Sequence, residues 1–295
     1  MRVLVTGGYG VLGYHLCKKL ASITGYEFAI VDNKDSWDFE EPYENIEPND
    51  YFEDNFRLGF ARFKPDKVIH CAEFSDPQIA MSEHMAYTNV GFTTQVVHTC
   101  SAKGVRCIIP AWFEFVSNGQ YKYIWSKTVA WRASVSESFN KGNAVNSVVY
   151  LPRIISPYQN GNNFGSVVKR VYNSIVDNRI LFIHDSEIPD GVRATVPWCS
   201  HELAVEAIMR MMLRNTRENY REPGFEFPVI NIIEYIAYQL GVTTVVAHYQ
   251  GQSITISSST KKHLKSYSNE LRRTFKKLQP LIDGAIDVWE RTTTS

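Results

Sequence analysis

The chain has 295 residues, 44% of them hydrophobic, and its 31 Lys plus Arg balance 31 Asp plus Glu. That is enough apolar material for one large domain or two fused lobes without covalent staples. A formal charge of zero supplies no overall field to gather phosphate polymer or anionic lipid, so neither nucleic acid nor a membrane surface is the expected partner. Apolar runs such as 29–31 and 245–247 fall far short of the roughly 20 residues that cross a bilayer. The chain opens Met1-Arg2-Val3-Leu4-Val5 straight into a glycine turn, with no apolar h-region, and the expected compartment is the cytoplasm. Cys17, Cys71, Cys100, Cys107 and Cys199 are odd in number, with no C-x-x-C pair and no His at ligand spacing. Neither a disulfide framework nor a metal site is expected.

Short apolar runs at 2–6, 28–32, 67–71, 106–110 and 147–151 alternate with helix-period segments at 14–23, 87–103 and 123–140. The alternation predicts parallel strands, which need crossover helices to join them. In the second half, 165–177 reads as helix, 180–184 as strand, and 201–215 as a strong helix with Leu203, Ala207, Ile208 and Met211 on one face. A charge-rich loop at 215–224 leads to a helix at 232–240, a strand at 244–248 and a basic helix at 261–277.

Between the first strand and first helix stands Thr6-Gly7-Gly8-Tyr9-Gly10-Val11-Leu12-Gly13, which satisfies both G-x-G-x-x-G and T-G-x-x-G-x-x-G. Glycines there remove the Cβ atoms that would hold a pyrophosphate off the backbone, and the helix N-terminus offers unpaired N–H donors and a favourable dipole. Asp32 ends the second strand 19 residues after Gly13, placed to accept the ribose hydroxyls of an adenosine and to repel a 2′-phosphate. NAD is therefore expected over NADP, with Lys34 nearby as a partly neutralising cation. Gly7, Tyr9, Gly10, Val11, Leu12, Gly13, Asp32 and Asn33 are the expected cofactor contacts. The competing readings are a tight turn that binds nothing and an Asp32 that only caps it. The expected fold is α/β: a Rossmann-type doubly wound parallel sheet over 1–155, completed by about 195–215. A smaller, partly discontinuous C-terminal substrate lobe takes 156–194 and 216–295.

With these residues the sequence resembles the extended short-chain dehydrogenase/reductases, the NAD-dependent epimerase/dehydratase group acting mainly on nucleotide sugars. Pro65-Asp66-Lys67-Val68-Ile69-His70-Cys71-Ala72 is similar to the family's P-D-x-V-I-H-x-A-A strand, whose end, here Cys71 and Ala72, lies against the cofactor. Asn89-Val90-Gly91 resembles its N-V-x-G-T helix start, where the Asn shapes the sheet near the active site. Tyr123-Ile124-Trp125-Ser126-Lys127 fits Y-x-x-x-K, Leu151-Pro152-Arg153 resembles the L-R-x strand end, and Arg193 to Pro197 with Ser200 to Ala204 resembles R-D-F-V-Y-V-D-D-L-A. The resemblance implies Tyr123 as general base, with Lys127 on the same helix face lowering its pKa and holding the nicotinamide ribose.

Departures bear on the reaction. Aligning Phe115 with the aromatic that ends the family's S-S-x-x-V-Y run puts Ala111 where a Ser or Thr would bond the reacting oxygen, a donor whose loss costs about 3 kcal/mol. Ser117 substitutes only if its turn folds back. Family dehydratases carry Asp-Glu after the Thr; here Trp112-Phe113 stand there, with Glu114 one place on, which argues against 4,6-dehydration. Those aromatics either wall the substrate pocket or are ordinary buried strand-end residues. Ala194 and Thr195 replace an acid and an aromatic, while Arg193 remains able to pair with a pyrophosphate.

The expectation is an NAD-dependent epimerase or keto-reductase of a nucleotide-activated sugar, with Tyr123 and Lys127 catalytic and Ala111, Trp112 and Arg193 at the substrate. The alternative is a catalytically weakened NAD-binding or regulatory protein of the same fold. The resemblance also implies a homodimer through 87–103 and 123–140, to which Val90, Val97, Val129 and Ala130 offer small apolar surfaces unless they face the sheet.

Overall fold

The structure, a computed structural model, describes residues 1–33, 48–53, 55–73, 83–112, 132, 146–158, 167–183, 195–214, 219–249, 252–257 and 268–293. They form two compact units, Met1–Leu151 with His201–Glu222, and Pro152–Ser200 with Pro223–Ser295.

The first unit is built on β1 (Arg2–Thr6), β2 (Glu27–Asp32), β3 (Asp50–Glu53), β4 (Lys67–His70), β5 (Arg106–Trp112), β6 (Asn146–Leu151) and β10 (Tyr220–Arg221). They form one sheet in the order β10-β6-β5-β4-β1-β2-β3, and every pairing is parallel. Strands covered on both faces read as continuous apolar runs, as in Val3-Leu4-Val5 and Phe28-Ala29-Ile30-Val31, all of them buried. Crossovers include α1 (Val11–Ala21), α2 (Phe56–Phe63) and α3 (Glu83–Lys103), while α5 (His201–Leu213) returns from the second unit's sequence. Leu4, Ala29, Val31, Val68, Cys107 and Ile109 pack with Phe56, Phe60 and Phe63 of α2 and with Val96, Val97 and Cys100 of α3. Val97 therefore faces the sheet and is not a dimer surface.

Two strand-start cations finish α5: the Lys67 ammonium donates to the Met212 carbonyl and the Arg106 guanidinium to that of Arg214, Arg106 also reaching the Ser147 hydroxyl at 2.8 Å. Cations are favoured there because the last carbonyls of a helix lack intrahelical partners. Burial, and secondarily Arg106, pushes the Lys67 pKa down.

In the second unit β7 (Arg153–Ile155), β9 (Thr195–Ser200) and β11 (Phe225–Pro228) form a mixed sheet, and β8 (Leu181–Ile183), β12 (Thr244–Tyr249) and β13 (Gln252–Ser257) another. With α4 (Val167–Val176), α6 (Val229–Gln239) and α7 (Asn269–Thr293) they enclose a core that includes Trp198, Phe227, Ile232, Ile236, Phe275, Leu278, Ile282 and Trp289. The basic helix read at 261–277 is instead described from Asn269, and it continues to Thr293 through Pro280. A mid-helix proline costs about 3 kcal/mol. Phe275, Leu278, Ile282, Ile286 and Trp289 are buried on one stripe, at about 1.5–3 kcal/mol each, and outweigh it. The strand β3, helix α2 and strand β13 were not legible as elements. Among the described residues no helix is long and apolar enough to cross a membrane.

His15 of α1 and His201 of α5 stack at 3.9 Å between ring centroids, with His201 Nε2 3.0 Å from a Glu202 carboxylate oxygen. Burial, then the facing His201, then Lys18, lowers His15 to about 3. Burial also lowers His201, against the pull of Glu202. A histidine held neutral in the fold binds its proton more readily when unfolded. The contribution of His15 is therefore complete above about pH 6.5 and is lost as pH falls toward about 3. Urea midpoints followed from about pH 7.5 to about pH 4.5 should fall in the wild type and fall less in His15→Leu, whereas parallel curves would show no linkage.

Candidate dinucleotide site

After β1 the chain turns at Gly7, whose φ of +69° is left-handed backbone and whose missing Cβ would stand 2.5 Å from the Ala72 nitrogen. Any other residue would be strained and would collide with the chain just beyond β4. The turn is closed by the Gly7 N–H donating to the Val31 carbonyl at 2.8 Å and the Gly10 N–H donating to the Gly7 carbonyl at 3.1 Å. Gly13, in the first turn of α1, is demanded by packing, since a Cβ would lie 2.0 Å from the Gly7 carbonyl oxygen.

Gly10 is different. Its φ of −79° and ψ of 165° suit any residue, and among the described residues a Cβ there would meet nothing nearer than the Gly7 carbonyl oxygen at 3.4 Å. Nothing among the described residues demands a glycine at this position, whereas a ligand pressed against the backbone would. Gly10 is also the N-cap of α1, no side chain among the described residues caps it, and the first turn, with half-buried Val11 and Leu12, holds no carboxylate. Among the described residues the donors and positive dipole end that favour an anion are thus not offset there.

Asp32 closes the other side. It is 8% exposed, and its carboxylate accepts the Tyr9 N–H at 2.9 Å, so the end of β2 is tied to the middle of the glycine turn. The Tyr51 hydroxyl of β3 donates to the Asp32 carbonyl at 3.4 Å, and the Tyr9 and Tyr51 rings lie 5.5 Å apart. Asn33 follows, exposed. Burial, with Cys71 and Asp32 nearby, pushes the Cys17 thiol pKa well up.

The third wall is the chain leaving β4. The Cys71 N–H donates to the Thr6 carbonyl at 3.0 Å, and the Ala72 N–H to the Thr6 hydroxyl oxygen at 3.3 Å. Thr6 Oγ1 is 2.7 Å from His70 Nδ1, and His70 Nε2 is 2.9 Å from Thr93 Oγ1 on α3. A consistent direction has the Thr6 hydroxyl donating to Nδ1 and Nε2–H donating to Thr93. All three side chains are buried, as is Asn89 one turn earlier on α3.

The structure thus brings Gly7, Tyr9, Gly10, Val11, Leu12, Gly13, Asp32, Cys71 and Ala72 to the C-terminal ends of β1, β2 and β4, at the point where strand order reverses. Ala111 is half-buried near the end of β5, opposite Tyr150 of β6, with Trp112 next along the strand. Tyr123, Lys127 and Arg193, like Glu114 and Ser117, lie outside the described residues. Sequence reasoning passed over Tyr51, Thr6, His70 and Thr93. The last three carried a signal, since Thr6 opens the glycine motif, His70 ends its strand, and Thr93 follows Asn89 by one helical turn.

Residues 3–117 match the model of the NAD dependent epimerase/dehydratase family, as the sequence resemblance implied for that part of the chain. No curated protein matches. Among solved structures, the chain is similar to UDP-glucose 4-epimerase of Thermotoga maritima with UDP-glucose, at TM-score 0.74 and 17% identity over 99% of this chain and 100% of that one. It is similar to the NAD-dependent NDP-hexosamine 5,6-dehydratase of tunicamycin biosynthesis, at TM-score 0.70 and 14% identity over 98% of each chain. It is also similar to UDP-glucuronic acid 4-epimerase of Bacillus cereus with UDP-glucuronic acid and NAD, at TM-score 0.68 and 15% identity over 98% of each. At these identities the likeness establishes the fold, a Rossmann-type α/β architecture.

The two glycines separate folding from binding. Gly13→Ala should lower stability by about 3 kcal/mol through the backbone collision, whereas Gly10→Ala should cost at most about 1 kcal/mol yet weaken dinucleotide binding severely. Paired denaturation and NADH-fluorescence titrations check this; a Gly10→Ala variant that keeps full affinity would contradict it.

Proposed function

We propose that the chain binds NAD at the glycine turn and acts as an NAD-dependent enzyme on a nucleotide-activated sugar, by epimerisation or keto-group reduction. The observation that carries the reading is Gly10: a glycine that no described residue requires or caps, at the start of a helix, beside a buried carboxylate. The residues present fit a dinucleotide. The α1 N-terminus suits its pyrophosphate, and Asp32, aimed by the Tyr9 N–H, suits ribose hydroxyls and disfavours a 2′-phosphate. When bound, the nicotinamide supplies hydride exchange with the sugar carbon.

The protein's own part is proton management and positioning. By family resemblance Tyr123 exchanges the sugar hydroxyl proton, and Lys127, four residues on, keeps its phenol acidic through positive charge. Arg193 is the candidate partner for the substrate's phosphates. The match to the family model and the sugar nucleotides held by the Thermotoga and Bacillus neighbours support the substrate class. Trp112-Phe113 lack the acid and base pair of 4,6-dehydration. We further propose that the enzyme is a homodimer using α3 together with 123–140, which apart from residue 132 lies outside the described residues.

Ala111 favours a second reading, an NAD-binding protein whose chemistry is weakened, because the end of β5 offers no hydroxyl to the reacting oxygen. Single-turnover NADH absorbance with product NMR across UDP-, GDP-, CDP- and dTDP-sugars and 4-keto sugars separates the two. A working enzyme should show turnover that Tyr123→Phe abolishes while NAD affinity persists, and Ala111→Ser should hold or raise the rate by up to about a hundredfold. Silence of both wild type and Ala111→Ser across the panel would leave only the binding protein.

A further inference from the structure

At the opposite end of the sheet from the glycine turn, α2 and α3 leave a groove of about 660 Å³. It lies where both helices finish and where the chain enters β4 and β5, whereas the turn stands at the strands' far ends. Its apolar lining is made by Phe60, Ala61, Pro65, Ala102 and Val105. Arg57, Lys64, His98 and Lys103 also line it, and among the described residues no carboxylate does.

Two of these cations occupy positions the fold by itself disfavours. Arg57 sits in the first turn of α2, where the helix dipole is already positive. Lys64 is the C-cap of α2 with φ +50° and ψ 64°, left-handed backbone that favours Gly or Asn. Only Lys103, in the last turn of α3, stands where the dipole welcomes a cation. Helix stability therefore does not account for Arg57 or Lys64 on this groove, whereas an anion over it would.

We propose that the groove between α2 and α3 binds a small anionic amphiphile, one with a carboxylate or similar head between Lys64 and Lys103 and an apolar body along Phe60, Ala61 and Ala102. An apolar floor with one sign of charge around it takes the body by burial and selects the head by sign. The site is separate from the proposed dinucleotide site and does not depend on it.

Decanoate titrated calorimetrically into the full-length protein should bind at one site, with or without saturating NAD, and decyltrimethylammonium of the same chain length should bind at least about tenfold more weakly. Lys64→Gly combined with Lys103→Gln should raise the decanoate Kd about tenfold. Lys64→Gly alone should leave the melting temperature unchanged or raised, because it relieves left-handed backbone, so weakened binding cannot be ascribed to unfolding. Ala102→Glu, at an exposed position, should abolish binding. The proposal is overturned by no decanoate heat, by equal affinity for the two head groups, by indifference to the lysine changes, or by displacement with NAD. A dimer in sedimentation that Ala102→Glu dissociates would likewise overturn it, by giving the groove to a second copy.

Discussion

The left-handed turn at Gly7 is the constraint on which the first unit depends, because it brings three chain segments closer than side chains permit. Its Cα has no room for a Cβ against Ala72, and its carbonyl has none for a Cβ on Gly13. Strand β1, the exit from β4 and the start of α1 are thereby locked at one point. The direction of α1 follows, and with it the placing of the helix N-terminus over the C-terminal edge of the sheet. Among the described residues Gly10 stands in that locked frame without being needed by it, which is why the proposed ligand rests on Gly10 while Gly7 and Gly13 report on the fold.

Buried polar groups hold the frame from two sides. Thr6, His70 and Thr93 link β1, β4 and α3 through hydrogen bonds at 2.7 and 2.9 Å, and Ala72 joins through the Thr6 hydroxyl. Unmade, such bonds would cost about 1–3 kcal/mol per group, so the chain specifies a single arrangement of these strand ends. On the other side the Asp32 carboxylate bonds to the backbone of Tyr9, and Tyr51 to the backbone of Asp32. Asp32 does tie the turn, then, and the same hydrogen bond would orient its carboxylate for the ribose that the proposed NAD site requires.

Much of the sheet was legible because parallel strands buried on both faces are written as continuous apolar runs, and the glycine spacing is local. What escaped depends on distant partners. Asp50-Tyr51-Phe52-Glu53 has charged ends and neither a long apolar run nor clean alternation, and it becomes a strand only by pairing with β2. Helix α2 is eight residues long, too short for its period to stand out beside a glycine and two arginines, and Phe56, Phe60 and Phe63 make sense only against the sheet. The last helix was read to end at 277, and the stripe from Phe275 to Trp289 carries it on through Pro280 by tertiary burial. At the site, Gly7 to Gly13 and Asp32 were readable from motif and spacing, whereas the Thr6–His70–Thr93 chain joins residues 64 and 23 positions apart.

The central claim is that the turn and Asp32 together form a seat for NAD. Calorimetric titration of wild type and Asp32→Ala with NAD and NADP tests it most directly, since an unpaired carboxylate beside a 2′-phosphate is strongly unfavourable. The account predicts that wild type binds NAD at least about tenfold more tightly than NADP and that Asp32→Ala loses most of that preference. Tighter binding of NADP by wild type, or a ratio unchanged in Asp32→Ala, would contradict it.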